Sequence, residues 1–324
     1  MTLDILIPQY KETDEIVRPL LDSLKIQQGI NFDDLGVIIV NDGSDVFLSE
    51  DFLKSYPFKV KYIKAEHQGV SATRQRALDE SKADYVMFCD ADDMFCSVLG
   101  LWVIFREMQT GFDTFVSAFY EQTKIPDTND LTFITREMDS TFVHGKVHRR
   151  KYLVEQNIRW NPNLTIHEDS YFNILCQKCT PQVRYCATPF YLWKWRDESV
   201  CRSDFKYILK TYNNMLDSST ALISNLLNRG KYQDAQFYAT SMVYDAYFTM
   251  NKDEWINQEN KEYRDATEKR FAEYYKQFKF MTTSVPKDVK AAILQGLRNR
   301  FYQEGMLLET TTFETWIKHI EELA

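Results

Sequence analysis

The stretch Tyr85–Met94, YVMFCDADDM, decides how this chain is read: an apolar run ends abruptly in three carboxylates, Asp90, Asp92 and Asp93. An apolar run bounded in this way reads as a buried strand whose C-terminal end opens into a crevice, where open α/β sheets place their ligands. Three acids at one strand end repel one another unless something positive sits among them. Two readings are open. One is an acidic turn that caps the next helix; the other is a divalent cation holding a diphosphate, since hard carboxylate oxygens suit Mg²⁺ or Mn²⁺.

Working outward, Leu3–Pro8 reads as a first strand closed by Pro8, followed by a helix from about Asp14 to Gln27 whose Ile16, Leu20, Leu21 and Leu24 recur at helical spacing. Leu35–Val40 is a second fully apolar strand and Phe58–Ala65 an alternating third, with a helix from about Val70 to Ser81 leading into Tyr85–Cys89. This order predicts an α/β fold with a mixed, mostly parallel sheet flanked by helices and with its ligand loops at the strand C-termini. Further on, the pattern predicts a helix over Leu101–Met108 and strands over Thr114–Gln122 and Leu131–Arg136. His144–Arg150 is expected to run into a helix through about Asn157, with a helix over Tyr171–Lys178 and a last strand over Tyr185–Trp195.

From about Phe205 the composition becomes helix-forming and rich in Tyr and Phe, so the chain is expected to divide into residues 1–204 and a smaller all-helical domain, 205–324. Phe237, Tyr238, Tyr244, Tyr247 and Phe248 form one aromatic stripe of that domain, and Tyr274, Tyr275, Phe278 and Phe280 another. They read as helix core, or as a platform for an acceptor or a second copy in a homo-oligomer.

The formal charge of -8 argues against a nucleic-acid partner without excluding a local basic groove. All of the excess acid lies before Phe205, after which acids and bases balance at 16 each. The start of the chain shows no basic n-region or h-region, and no stretch approaches the roughly 20 apolar residues of a membrane span. A cytoplasmic protein is therefore expected, or one peripheral to the inner membrane face. The six cysteines suit a reduced compartment, and the CxxC of Cys176 and Cys179 lacks the second pair a zinc site needs. No GxGxxG follows the first strand, which speaks against a dehydrogenase, and Gln9–Asp14 lacks the glycines of a nucleotidyltransferase loop.

The ordered set IPQY (7–10), VNDGSD (40–45), HQGVSATRQRAL (67–78), DADD (90–93), HGKVHRR (144–150), HEDSYF (167–172) and WKWRDES (193–199) resembles the inverting glycosyltransferases of family 2, which use the GT-A fold. The resemblance covers about 200 residues and stops near Asp204. It implies transfer of a hexosyl or N-acetylhexosaminyl group from a UDP-sugar to a hydroxyl acceptor such as a surface glycan or a teichoic-acid-like polymer. A hydroxylated base in nucleic acid is a second acceptor to consider, and a catalytically silent sugar-nucleotide-binding scaffold a different class of reading.

Each matched residue also has its own chemistry. Pro8 is either a plain strand terminator or frees backbone groups where a flat base can lie against Tyr10. Asp42 either makes an Asx-turn or accepts the imide hydrogen of uracil, the role the resemblance implies. Gly69 lets backbone approach a phosphate, and Arg74 either sits on a solvated helix face or reaches the base or diphosphate. The resemblance further implies that Asp90 meets the ribose, that Asp92 binds Mn²⁺ or Mg²⁺, and that Asp169 is the general base, leaving Asp93 to support a neighbour or cap the next turn. A single base implies one in-line displacement and inversion. Trp193 and Arg196, with Trp195 and Ser199, suit diphosphate clamping or sugar stacking. His144, His148 and His167 lie near these motifs and are either structural or ligands of metal or phosphate.

Overall fold

The computed structural model describes residues 1–125, 128–197, 205–256, 261–303, 305 and 311–324, the side chains of 205–210, 253 and 254 excepted. Ser199, Cys201, Ser203 and the expected boundary at Asp204 lie outside the described residues. The chain divides into two compact units, Met1–Ser199 and Val200–Ala324.

The first unit is built on a nine-stranded sheet. Its strands are β1 (Leu3–Gln9), β2 (Leu35–Asp42), β3 (Lys59–Ala65), β4 (Tyr85–Phe88), β5 (Met94–Phe95), β6 (Thr114–Lys124), β7 (Leu131–Arg136), β8 (Lys146–Arg149) and β9 (Val183–Trp193). Its helices are α1 (Asp14–Lys25), α2 (Glu50–Lys54), α3 (Val70–Glu80), α4 (Gly100–Thr110), α5 (Arg150–Glu155) and α6 (Glu168–Lys178). The strand order is β3-β2-β1-β4-β8-β6-β9-β5, with β7 on β6. β3, β2, β1 and β4 are mutually parallel, β8 runs antiparallel between β4 and β6, and β9 lies parallel to β6. The predicted mixed, mostly parallel sheet is therefore present.

β1 and β2 read as continuous apolar runs because helices cover both faces. On one face Leu3, Ile5, Ile7, Val37, Ile39 and Met87 form a core with Val17, Leu20, Leu21 and Leu24 of α1 and Leu101, Ile104 and Met108 of α4. On the other, Phe88 meets Trp160 and Phe172 of α6, whose rings stack on each other at 4.2 Å and 6°.

The structure departs from expectation in two places that bear on the site. Pro8 does not end β1, which runs on to Gln9 with Pro8 opposite Val40. Backbone groups of residues two apart point the same way in a strand, and the Leu6 carbonyl points at Cys89, just past the end of β4. The missing Pro8 N–H thus falls where no partner strand remains, so proline costs the ladder nothing there. The second departure is Lys146–Arg149, expected to lead into a helix but found as strand β8; only Arg150–Glu155 is helical. A polar HGKVHRR pattern hides this strand because Lys146 and His148 are both buried, each tied to a neighbour rather than to water.

The second unit contains α7 (Phe205–Asn228), α8 (Tyr232–Thr249), α9 (Asp253–Ile256), α10 (Lys261–Ser284), α11 (Lys287–Gln303) and α12 (Phe313–Leu323). Most of the two aromatic stripes is core: Tyr244, Tyr247, Phe248, Tyr274, Tyr275 and Phe278 are buried. Phe237 and Phe280 are not, and Phe280 is 81% exposed. No helix among the described residues is long and apolar enough to cross a membrane.

Candidate active site

β1, β2 and β4 end on one edge of the sheet, and the polar clusters follow directly from those ends. At the tip of β2, Asp42 is buried, and both its oxygens are engaged by the loop entering α3. Oδ1 accepts the Gln68 N–H at 2.8 Å, Oδ2 accepts the Gly69 N–H at 3.0 Å, and His67 Nδ1 lies 3.0 Å from Oδ2. The turn here is closed by its neighbour, as Asn41 Oδ1 accepts the Ser44 N–H at 2.8 Å. Gly43 is required in between: its φ is +71°, and a Cβ there would come within 2.4 Å of the His67 nitrogen. Gly69 also has positive φ, +88°, at the start of α3, where nothing crowds it. Tyr10 is 43% exposed and stacks on His67 at 4.9 Å.

The three acids after β4 have separate environments. Asp90 receives Arg74 Nη2 at 2.8 Å, and its backbone N–H donates to the Tyr191 hydroxyl. Asp92 pairs with Arg196 Nη1 at 2.9 Å, and Glu12 lies 3.8 Å from the same nitrogen. Burial, with Asp92 adding to it, raises the Glu12 carboxyl above its usual range. Asp93 is only 1% exposed and receives the Tyr191 hydroxyl at 2.9 Å and the Lys194 N–H at 2.9 Å. Burial, then the charges of Asp90 and Asp92, push its carboxyl well above the ordinary range. His144 Nδ1 lies 3.4 Å from Asp93, and its ring stacks on Trp193 at 4.8 Å and on Tyr191 at 5.5 Å. Donor atoms of Asp90, Asp93 and His144 lie within 4.8 Å of one another, a set of carboxylate oxygens and one imidazole that fits Mn²⁺ or Mg²⁺. Asp92, the expected ligand, is not part of that cluster.

The remaining acid stands at the start of α6. His167, at φ 63°, turns the chain into the helix, so that Glu168 points inward and is buried while Asp169 remains partly exposed. Glu168 accepts Arg74 Nη1 at 2.7 Å. Close packing, and then the Glu168 charge, push the Asp169 carboxyl up to about 7, against the pull of Arg74. That value suits a group that must take a proton near neutral pH.

Of the expected site residues, Asp42, Gly69, Arg74, Asp90, Asp92, Trp193 and Arg196 join the network just described. Arg74 is not on a solvated face: it is 5% exposed and held between two carboxylates. Trp193 is half-buried against Phe142 and His144 rather than an open platform. Trp195 donates its indole N–H to Asp197 at 3.0 Å. His148 is buried beside Thr114, and burial, helped by Lys146, holds its imidazolium pKa down to about 3, which favours the neutral ring. Sequence reasoning missed Glu12, His67 and Tyr191, and did not pair Glu168 with Arg74. Their signal lies in contacts 25 to 184 residues apart, which no local pattern carries.

A mixed sheet with acids gathered at its strand ends, a polar loop at a helix start and a second acid at the mouth of α6 defines a GT-A-like fold. Residues 4–128 match the model of Glycosyl transferase family 2. The chain is similar to the teichoic acid poly(glycerol phosphate) polymerase of Staphylococcus epidermidis, 28% identical over 203 residues, covering 57% of this chain and 28% of that one. It is also similar to the glycosyltransferase EpsJ of Bacillus subtilis, 21% identical over 225 residues, 63% of this chain and 64% of that one. The chain thus spans less than two thirds of either relative. Among solved structures, S. aureus TarS 1-349 in complex with UDP-GlcNAc matches with a TM-score of 0.63 at 13% identity, over 92% of both chains. A mannosyltransferase from Pyrobaculum calidifontis, in complex with GDP-Man and Mn²⁺, matches at 0.52 and 11% identity, over 99% of this chain and 84% of that one. At these identities the likeness establishes the fold.

Proposed function

We propose that the chain transfers a sugar, with inversion, from a UDP-sugar to a hydroxyl acceptor, and that the acceptor is a teichoic-acid-like polymer or another surface glycan. The observation that carries this is the placement of Asp169, a carboxyl lifted to about 7, next to Glu168, which Arg74 bridges to Asp90. The UDP-GlcNAc complex of a structure with this fold supports the donor class, and the polymerase relative supports the acceptor class.

In this reading Asp42 and the loop it holds receive the base beside Tyr10, and Asp90 meets the ribose. Asp92, once released from Arg196, and the cluster of Asp90, Asp93 and His144 are the donors available to a Mn²⁺ or Mg²⁺. Such an ion, when bound, supplies positive charge to the departing diphosphate. Arg196, freed from Asp92, brings a guanidinium to the same phosphates. Asp169 takes the proton of the acceptor hydroxyl as it attacks the anomeric carbon from the face opposite the leaving group.

The test is donor hydrolysis and transfer with purified protein. Asp92→Asn is expected to abolish Mn²⁺-dependent release of UDP, and Asp169→Asn to spare UDP binding while stopping transfer. Near-wild-type transfer by Asp169→Asn would overturn the base assignment, and failure of the wild type to bind any UDP-sugar would overturn the donor class.

A further inference from the structure

One face of α3 is sewn to the segment 159–168 by a line of polar contacts. From its C-terminal end toward its start, Asp79 pairs with Arg159 at 2.9 Å and Gln75 Oε1 accepts the Trp160 N–H at 2.9 Å. Arg74 then holds Glu168 at 2.7 Å, and the Ser71 hydroxyl donates to the Leu164 carbonyl at 2.7 Å. Positions 71, 74, 75 and 79 lie on one side of a helix, so the seam is a single face running the length of α3. Only its innermost member is both charged and buried. The Arg74 guanidinium also lies over the Trp160 ring at 4.9 Å, and Trp160 stacks on Phe172 inside α6.

We propose that Arg74 is a positioning residue, whose fork spans Asp90 on the donor side and Glu168 on the acceptor side and so fixes where Asp169 stands, rather than a ligand of base or diphosphate. This rests on the functional reading above for the names of the two sides. Three observations carry it. Both terminal nitrogens of the guanidinium are taken, at 2.8 and 2.7 Å, by carboxylates on different elements. The side chain has almost no surface left for a ligand. To reach a diphosphate it would have to leave Glu168 buried without its cation, which is far more costly than breaking an exposed pair. A planar fork can hold two carboxylates at fixed angles, whereas an ammonium is a point charge on a flexible stem.

The charged groups around Asp169 are Glu168 beside it, Arg74 and Asp90 from the bridge, and Lys146 of β8. Removing the Glu168 charge therefore lowers the pH at which Asp169 ionises, because Glu168 pushes that carboxyl up.

The experiment compares wild type with Glu168→Gln and Arg74→Lys in three measurements: UDP affinity by calorimetry, kcat for transfer, and the Asp169 midpoint by carboxyl-labelled NMR titration of the free protein. Glu168→Gln is expected to keep the UDP Kd within twofold, lower kcat at least tenfold, and move the Asp169 midpoint to lower pH. Arg74→Lys is expected to keep UDP affinity within threefold while losing at least tenfold in kcat. The inference is overturned if Arg74→Lys weakens UDP binding tenfold or more while Glu168→Gln keeps wild-type kcat and midpoint. Glu168→Gln is nearly isosteric, so it decides the matter should Arg74→Lys fail to fold. If the wild type binds no UDP, the donor assignment falls, and an unmoved Asp169 midpoint in Glu168→Gln would separately sink the bridge.

Discussion

Tyr191→Phe isolates a single hydroxyl that holds two strand ends together. That oxygen donates to Asp93 Oδ2 at 2.9 Å and accepts the Asp90 N–H at 3.2 Å, joining the end of β4 to β9 across 101 residues of sequence. The ring packs against Phe95 and His144, so phenylalanine preserves the volume and the cost is polar rather than a cavity. Each buried group left without a partner costs about 1–3 kcal/mol; the Asp93 carboxyl keeps its Lys194 bond, which puts the whole at about 2–4 kcal/mol. Because two units are present, global unfolding need not be one transition. Native-state hydrogen exchange at β4 and β9 reads the first unit by itself. A double-mutant cycle with Asp93→Asn should show a coupling of at least about 1 kcal/mol, as expected for groups in one network. Additive effects, or a loss below about 0.5 kcal/mol for Tyr191→Phe, would refute the claim that this hydroxyl organises the acids.

Three other outcomes are expected. Gly43→Ala forces a Cβ against the His67 backbone at a positive φ and should cost about 1–3 kcal/mol in thermal or chemical unfolding, with weaker UDP binding because the Asp42 loop shifts. Phe248→Ala, in the core of the helical unit, should destabilise that unit by about 3–5 kcal/mol. Phe280→Ser, at an exposed position, should stay within about 0.5 kcal/mol, so equal effects of the two in unfolding would contradict the burial pattern. Asp169 has a raised carboxyl pKa, so its neutral form is favoured by the fold and its basic form appears only as pH rises through about 7. Transfer should therefore fall on the acid side of a midpoint near 7, while the contribution of this group to stability declines as pH rises from 3.8 to about 7; a rate profile flat from pH 5 to 8 would contradict it.

How far the sequence could be read depends on the range of the interactions involved. β1, β2 and α1 were legible because their signals are local: continuous apolar runs for strands covered on both faces, and a 3.6-residue stripe for the helix. β8 was not, since two of its three buried residues, Lys146 and His148, are polar, and burial of a lysine is set by the Phe142 carbonyl and Asp139 it meets in three dimensions. The acids of the site were legible as a set, from their order along the chain. Their division of labour was not, because a carboxylate's partner is chosen by the fold. Asp42 reads as a free strand-tip acid until the loop amides of Gln68 and Gly69 are seen on it, and Arg74 reads as a surface residue until Glu168 closes on it.

The electrostatic puzzle posed by DADD is answered in part by the chain itself, and this sets a condition on any metal. Asp90 pairs with Arg74, which it shares with Glu168, Asp92 pairs with Arg196, and burial favours the protonated form of Asp93. A Mn²⁺ or Mg²⁺ bound at Asp92 would compete with a guanidinium at 2.9 Å that Glu12 also approaches at 3.8 Å, and diphosphate oxygens that draw Arg196 away would leave Asp92 to the metal. Metal and nucleotide should accordingly bind with positive coupling, each strengthening the other by the same factor. Arg196→Gln removes the competitor and the phosphate partner together. Measured by calorimetry, it should tighten Mn²⁺ binding to the free protein, weaken UDP binding, and reduce the coupling between them. Looser Mn²⁺ binding in Arg196→Gln would mean that the Arg196–Asp92 pair orders the metal's oxygens instead of competing with it.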